Sequence, residues 1–269
     1  MAVSIVPPMP DPHLDAIQVA RDGGLVTVTL DRPDRKNALD TTMARELVEV
    51  LTDVAADGDV RVLVLTGAGD AFCSGADLAD GGPPATNGLA RMRALHGLAQ
   101  LLHDLPQPTI ARIDGVAAGA GLNLALGCDL TLASTRARFS QIFARRGLST
   151  DFGGAWLLPR LVGLHRAKEL ALLGDIVDAA EAERLGLVNR VVAPEELDGL
   201  VAEWAGRLAA GPPIALTQTK RMLNRSFEVG WEAQLDAEST AQAYNFSTAD
   251  TAEAMKAFFE KRTPDFEGR

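Results

Sequence analysis

The stretch from Ile113 to Asp129, IDGVAAGAGLNLALGCD, constrains what this chain can fold into more than any other. An extended apolar segment, Thr109 to Ile113, runs into a turn of small residues, Gly119-Ala120-Gly121, and a helical pattern carrying Leu122, Leu124 and Leu126 follows. Glycine lacks the Cβ that keeps a ligand away from the backbone. The first N–H groups of the new helix have no acceptor inside it and carry the positive end of its dipole. They face a space where an anion, or an oxygen becoming one, is stabilised. Close packing alone also produces such turns, so one of them does not separate the two uses.

A second turn adds weight. Strand-like Val60 to Thr66 (VRVLVLT) leads into Ala71 to Leu78 (AFCSGADL), again small at its centre. Two strand-end turns with exposed backbone donors can clamp one oxygen from two sides.

The first half alternates in type. Leu25 to Leu30 reads as a strand, Thr41 to Ala55 as a helix, Gly88 to His103 as a helix and Thr109 to Ile113 as a strand. That alternation predicts a layered α/β core. Residues 79–88, ADGGPPATNG, read as a turn-rich loop beside the second donor turn. From Trp156 onward the pattern is mostly helical, with Ala179 to Val188 stopping at Gly186, a short strand at Val188 to Val192, and Glu195 to Ala210 stopping at Gly211. We expect residues 1–15 to be a disordered lead, 16–200 the core, and 201–269 a helical region whose surplus apolar faces serve assembly.

At 269 residues and 47% hydrophobic, the chain supports one main core. The net charge of −10 argues against nucleic acid, which needs a basic footprint. No apolar run reaches a membrane span, because Val116 to Ala133 is broken by Asn123 and Asp129. The N-terminus lacks the basic-then-apolar pattern of a secretory signal. Cys73 and Cys128 have no metal spacing, so we expect a reduced, cytoplasmic chain without a metal. The four histidines (His13, His96, His103, His165) read as surface or helix-face residues.

In order along the chain stand DRP at 31–33 with NAL at 37–39, FCSGADL at 72–78, DG at 114–115 with GAG at 119–121, GG at 153–154, LPRLVG at 158–163, AERLGLVN at 182–189 and AFFEKR at 257–262. By these motifs, from about Ile17 to Arg269, the sequence resembles the crotonase (enoyl-CoA hydratase/isomerase) superfamily. The resemblance implies a spiral of ββα units with a C-terminal helical trimerisation region, a homotrimer or hexamer, and a coenzyme A thioester as substrate with no separate cofactor. It places the oxyanion-hole donors on the backbone N–H groups of Ala76 and Ala120. It puts coenzyme and substrate contacts at Lys36, Asn37, Ala38, Asp77 and Leu78, with Phe258 and Lys261 reaching the coenzyme of a neighbouring subunit.

The departures bear on the chemistry. Hydratases of the family hold a water between two glutamates, and here those positions, which face the substrate, carry Asn123 and Phe143. An amide and a phenyl ring neither activate water nor deliver a proton. Asp151 falls where the dienoyl-CoA isomerases and the ring-acyl-CoA isomerases carry a catalytic aspartate, and Phe139, Phe143, Phe152 and Trp156 are expected to form an apolar wall near it. Asp151 also reads as a plain helix N-cap before Gly153-Gly154. The resemblance implies an isomerase that moves a C=C bond with Asp151 as acid and base. The alternatives are a hydratase in which Asn123 orients the water, a non-catalytic acyl-CoA binder, and an aspartate nucleophile.

Overall fold

A computed structural model describes residues 14–80 and 88–269. Among the described residues ten strands and ten α-helices follow along the chain: β1 (Ile17–Asp22), β2 (Leu25–Leu30), α1 (Thr41–Ala56), β3 (Val62–Gly67), β4 (Ala71–Cys73), α2 (Gly88–Asp104), β5 (Thr109–Ile113), β6 (Val116–Ala118), α3 (Ala120–Leu126), β7 (Leu130–Ser134) and β8 (Arg138–Ser140). Then come α4 (Gly154–Val162), α5 (Leu164–Leu173), β9 (Val177–Asp178), α6 (Ala179–Leu185), β10 (Arg190–Val192), α7 (Pro194–Ala209), α8 (Pro213–Arg225), α9 (Trp231–Asn245) and α10 (Ala249–Glu260).

Six strands make one sheet in the order β1-β2-β3-β5-β7-β10, parallel except for the antiparallel β1–β2 hairpin. A second sheet has the order β4-β6-β8-β9. The strand pairs β3–β4, β5–β6 and β7–β8 each put their first member in the large sheet and their second in the small one. A helix then carries the chain to the next pair, and the repeat winds the chain into a spiral.

The central strands read as continuous apolar runs because both faces of the large sheet are covered. Side chains alternate across a strand, so Val62 and Val64 pack with Leu197, Val201 and Ala205 of α7, while Leu63 and Leu65 join Met43, Leu47 and Leu51 of α1. The core therefore continues past residue 200 to the end of α7, where a break at 200 would cut a helix that the sheet needs.

Residues 1–13 of the expected lead lie outside the described residues, but Leu14 and Asp15 belong to the fold. Leu14 packs on the core, and the buried Glu46 carboxylate accepts the N–H groups of Asp15 (3.1 Å) and Ala16 (2.9 Å). Most of the expected loop at 79–88, residues 81–87, is also outside the described residues. No described helix is long and apolar enough to cross a membrane.

Candidate active site

The two small-residue turns meet. Leu39 N–H donates to Gly75 O (2.8 Å) and Asp77 N–H to Leu39 O (2.9 Å), so the bridge pairs Leu39 with Ala76 while Ala76 N–H faces away from it. A Cβ built on Gly75, whose φ is +110°, would stand 3.7 Å from Ala120 N and 3.0 Å from Ala118 O. The start of α3 thus lies against the Ser74–Ala76 turn. Gly121 must be glycine, because a Cβ there would fall on the Cys73 carbonyl of β4. Neither Ala76 N–H nor Ala120 N–H has an acceptor among the described residues. Both are free to hold an oxygen that gains charge.

Asn37 keeps the first turn in place. It adopts left-handed φ of +53°, is fully buried, and donates from Nδ2 to Ala68 O (2.8 Å) and Ala71 O (2.7 Å) while Oδ1 accepts Arg32 N–H (2.9 Å). Its side chain is spent on the fold, and Ala38 is likewise buried. Arg32 bridges Asp40 (3.1 Å) and Asp77 (3.0 Å) and also donates to Ala38 O. The Arg32 guanidinium holds the Asp77 carboxyl below the usual carboxylate range. Of the five residues expected at the coenzyme, Lys36 and Leu78 extend into solvent, with Lys36 3.5 Å from Asp70. Asn37, Ala38 and Asp77 shape the turn.

Asp151 lies beside a cavity of about 990 Å³. Its walls come from α2 (His96, Ala99, Gln100, His103), from Asn123, from residues 150–153 and 155–157 and from α8 (Lys220, Arg221, Asn224, Arg225). Asp151 Oδ1 is buried and has no hydrogen-bond partner among the described residues. Burial pushes its pKa up, against a smaller opposing pull from His96. The N-cap reading fails, because the cap of α4 is Gly153 in a left-handed conformation and no side chain caps that helix. Ala76 and Ala120 do not line the cavity; the link is Asn123, one helical turn beyond Ala120 on α3.

Asn123 is fully buried and both ends of its amide are engaged, Nδ2 with Asp151 O (2.8 Å) and Thr150 Oγ1 (3.4 Å), Oδ1 with Gln141 Nε2 (2.6 Å). Both amine hydrogens are thus committed, and Oδ1 keeps one of its two lone pairs. Phe143 is buried beside the Gly119–Gly121 turn, its ring 3.7 Å from where a Gly119 Cβ would be. Of the expected apolar wall, Phe152 and Trp156 line the cavity, whereas Phe139 is wholly buried in the core. The Arg160 guanidinium lies 3.8 Å from the Trp156 ring and donates to Trp156 O (2.9 Å), and His103 meets the indole edge-on at 5.2 Å.

His96 and His103 stand on a face of α2, as expected, and that face lines the cavity. Their seven-residue spacing puts them on one face of α2 with Ala99 and Gln100, a periodicity visible in the sequence. Gln141, Lys220 and Asn224 had no such signal, since they reach the site only through tertiary contacts. Phe258 and Lys261 stand at the exposed end of α10 and touch no part of the cavity in the single chain. Burial lifts the thiols of Cys73 and Cys128 to about 11 and about 12, so neither is a thiolate near neutrality.

Paired sheets wound by successive ββα units, with helices gathered at the C-terminus, are the crotonase fold. Residues 20–269 match the enoyl-CoA hydratase/isomerase family, and the chain belongs to it. It is 40% identical over 251 residues to the 1,2-epoxyphenylacetyl-CoA isomerase of Escherichia coli (strain K12), covering 91% of this chain and 96% of that protein. It is 34% identical over 260 residues to the short-chain-enoyl-CoA hydratase of Clostridium acetobutylicum, covering 93% of this chain and 97% of that protein. The crystal structure of an enoyl-CoA hydratase from Bacillus anthracis superposes with a TM-score of 0.91 at 33% identity, over 95% of this chain and all (100%) of that one.

Proposed function

We propose that the chain binds an acyl-CoA thioester, holds its enolate oxygen between the N–H groups of Ala76 and Ala120, and moves a C=C bond with Asp151 as base and then acid. In a 3-enoyl thioester the Asp151 carboxylate takes a proton from C2, and the electron pair spreads through the dienolate onto the thioester oxygen. The carboxyl, its proton exchanging with solvent while the dienolate is held, then protonates C4, leaving the 2-enoyl thioester. No atom is gained or lost.

The observation that carries this reading is the unpaired, buried Oδ1 of Asp151 beside the cavity. A carboxyl whose proton affinity is raised by burial is suited to accept a proton and release it again near neutrality. The committed amide of Asn123 and the phenyl ring of Phe143 weigh against water addition, although relatives bear both isomerase and hydratase names. Coenzyme A is part of the substrate in this reading, approached by the exposed Lys36 and Leu78 and by the backbone at Asn37–Ala38 and Asp77. Phe258 and Lys261 would serve a neighbouring copy. The exposed Trp231, Leu235, Phe246, Met255, Phe258 and Phe259 support assembly, read here as a homotrimer or hexamer, and the reading places the enzyme in the cytoplasm.

A panel of 2-enoyl and 3-enoyl-CoA thioesters incubated in deuterated water and read by mass spectrometry tests the assignment. Double-bond migration with deuterium entering C2 and C4 is the expected result. Water addition to crotonyl-CoA at tens per second would overturn it in favour of a hydratase. An unaltered thioester would point to a binder, and a covalent adduct on Asp151 to a nucleophile.

A further inference from the structure

Asn123 belongs to the first turn of α3, where its own N–H donates to Gly119 O (3.1 Å), and its side chain crosses to the loop that carries Asp151. A carbonyl only accepts, so the atom facing Asp151 O must be the Asn123 amine. The oxygen of that amide then faces Gln141, which must present its own amine. Gln141 is 1% exposed, and its remaining oxygen accepts Thr150 Oγ1 at 3.4 Å. Each orientation in this ring dictates the next.

The loop packs directly on the ring. A Cβ on Gly154 would collide with the Asn123 amide, so that position has to be bare. On the other side, Phe152 takes a left-handed φ of +48° and is anchored at 1% exposure. A non-glycine residue in that region is strained. Asp151 is thereby fixed between a buried amide and a strained, buried anchor.

We propose that Asn123, oriented by Gln141, is a positioning residue that keeps the Asp151 carboxyl in register with the Ala120 N–H. One residue is tied to both parts, to the oxyanion turn through its backbone and to the acid–base loop through its side chain. A proton transfer and an oxyanion contact must be met by one substrate pose, and displacements near 1 Å cost about 10²-fold in rate. The inference rests on Asp151 being the acid and base.

The test compares Asn123→Leu and Gln141→Leu with the parent and with Asp151→Asn, measuring double-bond migration, KM, pH profile and melting. Gln141 does not line the cavity, so its effect has to be indirect. Asn123→Leu is expected to lower kcat by about 10²-fold and Gln141→Leu by about tenfold, the worth of one hydrogen bond, with KM unchanged. The acid limb of the pH profile should move to lower pH in both, as the loosened loop lets water reach Asp151. In an Asp151→Asn background, Gln141→Leu should cost no further rate. A Gln141→Leu enzyme that melts lower but keeps the parent kcat and pH profile would overturn the proposal, as would an additive loss in the Asp151→Asn background. If Asp151→Asn itself keeps the parent rate, the acid–base reading has failed and the positioning role falls with it.

Discussion

Replacing Asp151 by Asn should make the protein slower and more stable at once. Its Oδ1 is buried without a partner, and leaving a buried acceptor unsatisfied costs about 1–3 kcal/mol, more for a charged one. Asparagine keeps the shape and removes the charge but still buries a polar group, so the low end, about 1 kcal/mol, is the expected gain. For a chain of this length that is roughly 2–4 °C in Tm. Burial raises the Asp151 pKa in the folded state, so its contribution to stability is fully present below the unfolded pKa and is lost as pH rises through the folded value. The stability gap between variant and parent should therefore be widest above the raised folded pKa and close as the pH falls toward the ordinary carboxylate range. Double-bond migration, by contrast, should fall about 10²–10⁴-fold through loss of the base. Scanning calorimetry of both proteins across pH, beside turnover in deuterated water, reads the two effects. An Asn variant that melts below the parent, or a gap that does not change with pH, would refute the argument that Asp151 is held unpaired at a stability cost.

Asn37→Ala removes three hydrogen bonds and orphans the carbonyls of Ala68 and Ala71; a loss of about 3 kcal/mol is expected, read as a lower urea midpoint. Gly121→Ala drives α3 off the Cys73 carbonyl, so stability should fall by about 1–3 kcal/mol and kcat with it, because Ala120 N–H moves too. Lys220→Met breaks a pair in which Lys220 is 8% exposed and bonds Asp129 at 2.8 Å. Asp129 keeps Thr109 N–H and Oγ1, so the expected cost is about 3 kcal/mol, the low end for a broken buried pair, measured by calorimetry. Light scattering at micromolar concentration should give a trimer or hexamer, and a monomer would contradict the reading of the exposed C-terminal apolar residues.

The local signals in this chain were strong where one short stretch decided the outcome. Leu25–Leu30 and Thr109–Ile113 form the strands their runs of apolar and β-branched residues suggest, and Gly186 ends α6 in the left-handed conformation that only glycine adopts freely. The three-residue strands β4, β6 and β8 were not legible. Each is stable only because its neighbour in the small sheet is present, and that pairing joins residues about 20 to 45 positions apart.

The site divides along the same line. Sequence by itself determined the two small-residue turns, the absence of both glutamates and the position of Asp151, since each depends on which residue stands at which place. Tertiary structure alone decided what those residues touch. It turned Asp151 from a candidate helix cap into a half-buried carboxylate whose buried Oδ1 is unpaired, and it engaged the Asn123 amide with Gln141 and the Asp151 backbone. It also brought His96 and His103 to the cavity from one helix and Lys220 and Asn224 from another. The physical reason is that a hydrogen bond or a desolvated charge belongs to a pair of neighbours in space, and no single position in the chain carries both members.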